Sequence, residues 1–329
     1  MSVTSAGLVQ LADIRAAVPR IASLARRTPV LEASIPACAR LFLKCENMQP
    51  AGAFKIRGAA NMLQQLPAHE RSRGVITYSS GNHGQAVALA ARSLGVPAVI
   101  VMPTTAPAIK VEGVRRCGAE VIFEGTTSAD RRTRAEAEAC ARGLTMIPPF
   151  DHPWIIAGQG TAGLEILEQV PDTAIVLVPI GGGGLASGVA AAVKRSRPHV
   201  RVVGVEPRGA NAMQRSLEAG HPVTIARSQS IADGLLPVRP GDLTFAHVQA
   251  FIDEVVTVDD EQIVAALRWL YYEARVVVEP SGATALAALL SGTVAAPAAS
   301  SGAAVAVLSG GNVSPSSLSA LLDQPALVS

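Results

Sequence analysis

Residues Ile175-Val176-Leu177-Val178-Pro179-Ile180 run straight into Gly181-Gly182-Gly183-Gly184, and a helical pattern begins near Leu185. A short apolar, β-branched run, a glycine loop and a helix, in that order, form the repeating unit of a parallel sheet covered by helices. A tight turn with no ligand needs one glycine, not four in succession. With no Cβ in the way, a phosphate can approach the bare amides of the loop while the helix dipole favours its charge. The stretch also spells Gly181-x-Gly183-x-x-Ala186, and Glu206 ends a later strand, so it meets the formal dinucleotide fingerprint as well.

Working outward, β-branched runs alternate with longer segments of helical period. Strands are expected at Val75–Tyr78, Ala98–Met102 and Glu120–Phe123, with helices at Asn82–Leu94 and Ala106–Cys117. A second series begins near Ile155, with strands Ile175–Val178, Val202–Val205 and Ala304–Leu308 and a helix over Asp260–Arg275. The expected class is α/β with two lobes built on open, twisted, mostly parallel sheets: a large domain of residues 1–73 and 147–329, and a small domain of residues 74–146. Leu8, Leu11, Ile14 and Val18 recur at helical spacing and make the N-terminus a first helix rather than a signal peptide, because Asp13 and Arg15 interrupt any apolar core. The stretch Ala174–Val193 is uncharged, but Pro179 and the glycines break it, so it is not a membrane span.

The chain has 329 residues, 49% of them hydrophobic, enough for a sizeable core. Its 28 basic and 26 acidic side chains give a formal charge of +2 with no long single-sign run, which excludes nucleic acid as a partner. Arg115-Arg116 and Arg131-Arg132-Arg134 lie in helical segments with acidic neighbours and are expected on solvated faces. Cys38, Cys45, Cys117 and Cys140 form no C-x-x-C pair, which fits a reducing, cytoplasmic setting rather than a zinc or disulfide framework.

Two further loops follow expected strands, where open parallel sheets bind ligands. Ser79-Ser80-Gly81-Asn82-His83-Gly84 can present its amides and side chains to a carboxylate at a helix N-terminus, although Ser80 or Asn82 could equally be a simple cap. Ser309-Gly310-Gly311-Asn312 can aim a hydroxyl at a heterocycle. Lys55 lies in the apolar run Gly52-Ala53-Phe54-Lys55-Ile56-Arg57-Gly58, where desolvation lowers an amine pKa as a Schiff-base lysine requires; the bland alternative is a snorkelling surface lysine.

Taken together, these segments resemble the fold-type II pyridoxal-phosphate enzymes, whose fold is that of the tryptophan synthase β chain, and within them the threonine/serine dehydratase and serine racemase branch. The likeness covers nearly the whole chain. Besides the loops above, it rests on Lys44–Gln49, Pro148-Pro149-Phe150-Asp151-His152-Pro153, Ala157–Thr161, Ala232-Asp233-Gly234 and Val278-Glu279-Pro280. The resemblance implies pyridoxal 5'-phosphate in Schiff-base linkage to Lys55, its phosphate on Gly181, Gly182, Gly183 and Gly184, its 3-hydroxyl at Asn82 and its ring nitrogen at Ser309, with Phe54 stacked on the ring. It implies a small amino-acid substrate whose carboxylate is held by Ser79, Ser80, Gly81, Asn82 and His83. The implied reaction is β-elimination of water and ammonia from a β-hydroxy amino acid, in a homodimer.

Ser80 divides the branch. In the racemases the matching hydroxyl serves as a base opposite the lysine, so Lys55 and Ser80 could act as opposed bases in a serine racemase. A divalent or monovalent cation is left undetermined by the residues. Glu206 matches one metal ligand of the metal-activated relatives, but Ala212 stands where they have an aspartate. Arg131 falls where relatives acting on acidic substrates place a carboxylate-binding arginine, though among three arginines it is expected to face solvent. Outside the family, a nicotinamide dehydrogenase explains neither Lys55 nor the Ser79–Gly84 loop, and a silent amino-acid-binding protein has no use for Lys55 with both glycine loops.

Overall fold

The computed structural model describes residues 7–323 except Ser80 and Pro107. Ten strands form two sheets: β1 (Val30–Ile35), β2 (Cys38–Lys44), β3 (Val75–Tyr78), β4 (Ala98–Met102), β5 (Glu120–Phe123), β6 (Thr145–Met146), β7 (Thr173–Pro179), β8 (Arg201–Pro207), β9 (Glu254–Val258) and β10 (Ala303–Val307). The larger sheet has the order β1-β2-β10-β7-β8-β9, and the smaller the order β5-β4-β3-β6. All pairs are parallel except β1 with β2. Each expected strand is present within a residue or two, and the alternation of apolar runs with helices is what produces them.

Inside the large sheet, β7 and β10 are buried almost throughout, as two-sided coverage by helices requires. The β1–β2 hairpin and β9 lie at its edges. Their mixed sequences, with Glu32, Arg40 and Glu254, gave no strand signal. The first helix runs Leu11–Ile21 and buries Ile14, Ala17 and Ile21. Val18, expected on its inner face, is 44% exposed; the true stripe passes through the small Ala17, which a search for large apolar residues overlooks.

Helix Lys55–Gln65 packs between the lobes, against helix Pro153–Gln169 on one side and helix Asn82–Leu94 of the smaller sheet on the other. Its start is fixed by a buried ion cluster. Arg57 is 1% exposed and donates to both oxygens of Glu46 at 2.7 Å, to Glu165 at 2.7 and 2.8 Å and to Thr161 Oγ1 at 3.0 Å. Lys44 Nζ joins the cluster through Glu165 at 2.5 Å, Gln169 at 2.8 Å and the Thr28 carbonyl at 2.9 Å. Two cations face two carboxylates, and every charge has hydrogen-bonded partners, the condition under which buried charges are tolerated. Replacing Arg57 with alanine strands Glu46 as an uncompensated buried charge; chemical denaturation is expected to show a loss of about 3–5 kcal/mol.

Candidate active site

In the large sheet β2, β10 and β7 are neighbours, so the chain segments that leave their C-terminal ends emerge side by side. These are Gly52–Lys55 after β2, Ser309–Asn312 after β10 and Gly181–Gly184 after β7. The Phe54 N–H donates to the Ser309 carbonyl at 3.0 Å, and Ala53 bridges Gly310. The Ser79–Gly84 loop arrives from β3 of the smaller sheet. Asn82 Nδ2 donates to Glu279 Oε1 at 2.6 Å, and Asn312 Nδ2 donates to Asn82 Oδ1 at 2.9 Å. Ser79, Gly81, Asn82 and His83 are thus brought against the large lobe. Ser80 lies outside the described residues.

Lys55 is the first residue of its helix. Its Nζ donates to the Pro149 carbonyl at 2.7 Å and lies 5.1 Å from the centroid of the Phe54 ring. Burial alone pulls this amine from its ordinary 10.5 down to about 8. No carboxylate is paired with it among the described residues, in contrast to Arg57 two positions later. His83 Nε2 is 3.1 Å from the Ile147 carbonyl; burial and the nearby Lys55 charge push its pKa down to about 3, so its ring is neutral. His152 caps helix Pro153–Gln169, with Nδ1 accepting the Trp154 N–H at 3.1 Å.

Two helix N-termini lie near this amine: its charge acts on His83 in the first turn of helix Asn82–Leu94, and Pro149, which it contacts, adjoins Phe150, packed on Gly182. Helix Gly184–Ser196 has Gly183 at its cap, at φ 95°, with no side chain to satisfy the first amides. Helix Asn82–Leu94 likewise has only Gly81 at its cap. Bare helix N-termini are receptors for anions. The tetraglycine is also packed too closely for side chains. A Cβ on Gly182 would lie 2.3 Å from the Phe150 ring, and one on Gly181 would lie 3.0 Å from Leu235 Cα. The Thr244 hydroxyl donates to the Gly182 carbonyl at 2.7 Å, and the Asp151 carboxylate caps helix Asp242–Phe251 through the N–H groups of Asp242, Leu243 and Thr244. The loop is therefore held from behind while its helix terminus stays open.

Ser309 is buried, and its hydroxyl donates to the Ser281 carbonyl at 3.2 Å. Glu279 stands beside it; burial and the charge of Asp233 push its carboxyl up to about 7, against the opposing pull of Asn82 and Lys110. Glu279 lies within a motif legible in the sequence but carries no local mark of its role, because its contact with Asn82 spans 197 residues. Glu206 is fully buried at the end of β8, and its two oxygens accept the N–H groups of Met213 and Gln214 at 2.9 and 2.8 Å. It therefore caps helix Ala212–Ala219, and burial pushes its pKa up to about 8. Any cation there would compete with those amides for the same oxygens.

The expectation that Arg131 faces solvent is corrected. It is 6% exposed, on the same helix face as the buried Ala135, and donates to the Thr126 carbonyl and to Ser128 Oγ. Arg132 and Arg134 do lie on the solvated face, paired with Glu136 and Glu138.

Residues 21–310 match the family model described as "Pyridoxal-phosphate dependent enzyme". The chain belongs to that family of enzymes and uses pyridoxal phosphate. It is 46% identical over 282 residues to a serine racemase of Oryza sativa subsp. indica, an alignment covering 85% of this chain and 83% of that one. It is 42% identical over 286 residues to an L-threonine ammonia-lyase of Thermotoga maritima, covering 86% and 71% of the two chains. Among solved structures it superposes on maize serine racemase with a TM-score of 0.89 and 42% identity, covering 95% of this chain and 96% of the other.

The residues present fit that cofactor: a desolvated amine, an uncapped helix terminus for a phosphate and a neutral hydroxyl opposite. We propose that Lys55 captures the aldehyde as a neutral amine; the rate at which the apo-protein takes up pyridoxal phosphate should then rise with pH and level off above about 8. Stopped-flow absorbance checks this; a rise continuing to the ordinary lysine range would show that the amine is not desolvated.

Proposed function

We propose that the protein is an ammonia-lyase that removes water and ammonia from a β-hydroxy amino acid of the threonine/serine type, giving a 2-keto acid. The observation that carries this reading is the desolvated Lys55 amine, near two helix N-termini that no described side chain caps. One terminus suits a phosphate and the other a substrate carboxylate. The relatives named as threonine ammonia-lyase and serine racemase support the same substrate class.

In this reading Gly181–Gly184 and the start of helix Gly184–Ser196 hold the cofactor phosphate, Phe54 covers the ring, Asn82 meets the 3-hydroxyl and Ser309 meets the ring nitrogen. Ser79, Gly81, Asn82 and His83 hold the substrate carboxylate. What pyridoxal phosphate supplies when bound is electron withdrawal from the substrate's Cα. Lys55, freed by the substrate amine, accepts the Cα proton. A pKa near 8 lets it hold or release that proton at working pH. Ser309, being a neutral hydroxyl, leaves the ring nitrogen largely unprotonated, which favours loss of the β-hydroxyl over transamination. Pro149 and Phe150 close over Lys55 and the glycine loop and keep water from the proton being moved.

A second reading, racemisation, keeps every one of these contacts and adds Ser80 as a base on the opposite face from Lys55. Sequence similarity to the serine racemases favours giving it an explicit test. For assembly we propose a homodimer, for which the exposed apolar side chains of Met48, Tyr271, Tyr272 and Val277, 36–46% exposed, supply surface. The lobe boundaries we propose, residues 1–73 with 147–329 and residues 74–146, follow the two sheets. A cytoplasmic location fits the four free cysteines, and among the described residues no helix is long and apolar enough to cross a membrane.

The Lys55→Ala variant should lose the visible absorbance of the lysine-bound cofactor together with all keto-acid formation, because one amine both anchors the cofactor and moves the proton. Retained turnover would sink the assignment. Ser80→Ala should abolish any D-isomer formation while keeping part of the elimination, which needs a base on one face only. Keto acid and enantiomer composition followed together, from L-threonine and L-serine, separate the two readings.

A further inference from the structure

Helix Asn82–Leu94 begins at Gly81, and among the described residues no side chain bonds its first amides. The first atom that a Cβ on Gly81 would meet is Lys110 Nζ, at 3.5 Å. Lys110 belongs to the neighbouring helix Ala108–Arg116 of the smaller sheet, so its ammonium overhangs the loop assigned to the substrate carboxylate. The amine reaches across to the other lobe, where it donates to Asp233 Oδ2 at 2.9 Å. No other partner of this amine is present among the described residues. An ammonium has three donors, and Asp233 engages one of them.

Asp233 is fixed on the large-lobe side of the cleft. It opens the turn Asp233–Leu235, whose Gly234 N–H donates to Ser281 Oγ at 2.9 Å and whose Leu235 packs against the Gly181 position. The Asp233 side chain is 57% exposed, whereas that of Lys110 is 17% exposed. A pair with one partner half in water adds little to stability. Its effect is to aim the amine. The aspartate turns a flexible lysine toward Gly81, where it supplies a positive charge that the loop lacks: Ser79, Gly81 and Asn82 are uncharged and His83 is neutral.

We propose that Lys110 is a further substrate-binding residue, which Asp233 aims from across the cleft to give the substrate carboxylate a charge-assisted partner beside the bare amides of helix Asn82–Leu94. This rests on the amino-acid-lyase reading of the site. The arriving carboxylate takes a second donor of Lys110 while Asp233 keeps the first. Binding of substrate thereby draws the two lobes together over it. The pairing is strongest for an α-carboxylate placed at Gly81, and a substrate amide or ester lacks the charge to use it.

The experiment compares Lys110→Met, Lys110→Arg, Asp233→Asn and the charge-reversed double variant Lys110→Asp/Asp233→Lys with the parent holoenzyme, on L-threonine and L-serine. Lys110→Met should raise KM roughly tenfold with a much smaller change in kcat, the size of losing one charge-assisted hydrogen bond. Its visible absorbance should stay that of the parent, and Lys110→Arg should recover most of the affinity. Parent KM should climb with added salt, and that dependence should flatten in Lys110→Met. The reversed pair should keep the parent melting temperature yet show the high KM, since it puts a carboxylate beside Gly81. An unchanged KM in Lys110→Met, or recovery of KM in the reversed pair, would overturn the proposal, the latter by showing an inter-lobe clasp whose polarity is immaterial. Absence of any keto acid or D-isomer from the parent enzyme would instead overturn the underlying function, before any variant is read.

Discussion

Arg57 is a cation with almost no contact with water, and the site is built on top of the arrangement that makes this tolerable. Its guanidinium, with Lys44, faces Glu46 and Glu165, so the buried charges cancel and their donors are used. The four side chains come from the end of β2, the short turn after it, helix Lys55–Gln65 and helix Pro153–Gln169. The Thr28 carbonyl and the Arg26 carbonyl fill remaining donors. An assembly of this kind costs heavy desolvation and returns it only when every partner is in place. It therefore fixes where helix Lys55–Gln65 starts, and so where Lys55 stands.

Two neighbouring cations on one helix have opposite fates for a single reason. Arg57 is surrounded by carboxylates, which hold its pKa above the ordinary arginine value. Lys55, partly buried, has a carbonyl and an aromatic ring beside it, and its pKa falls. The first is an inert brace, and the second is the amine proposed to carry the cofactor. The same logic of withheld compensation recurs around the amine, where two helix N-termini lack side-chain caps among the described residues and His83 stays neutral. The site is a set of unmet electrostatic demands held rigid by satisfied ones, which is how a pocket for an anionic cofactor and an anionic substrate is made ready before either binds.

Much of this was legible in the residues. The run Ile175–Leu185 reads as strand, loop and helix because glycine and β-branched residues act locally. Helix Asn82–Leu94 was delimited to the residue, between Gly81 and the left-handed Gly95 that ends it. The tetraglycine and Lys55 were visible as anomalies of composition. The β1–β2 hairpin and β9 were not, because edge strands in a mixed setting carry charges that blur the alternation. Arg131 was misjudged because only its packing against the smaller sheet separates it from Arg132 and Arg134. Glu279, Lys110 and Asp233 carry no local mark of what they touch.

By itself the sequence determined the class of fold, the strand-loop-helix units and the chemical character of each loop, since these depend on residues close together in the chain. Only the tertiary structure decided which loops share a pocket. Placing β10 between β2 and β7 brings Lys55, Ser309 and the tetraglycine together across some 250 residues, and lobe packing sets Asn82 on Glu279 and Lys110 on Asp233. Strand order and lobe docking are settled by burial of apolar faces summed over the whole molecule, a quantity no short stretch of residues contains.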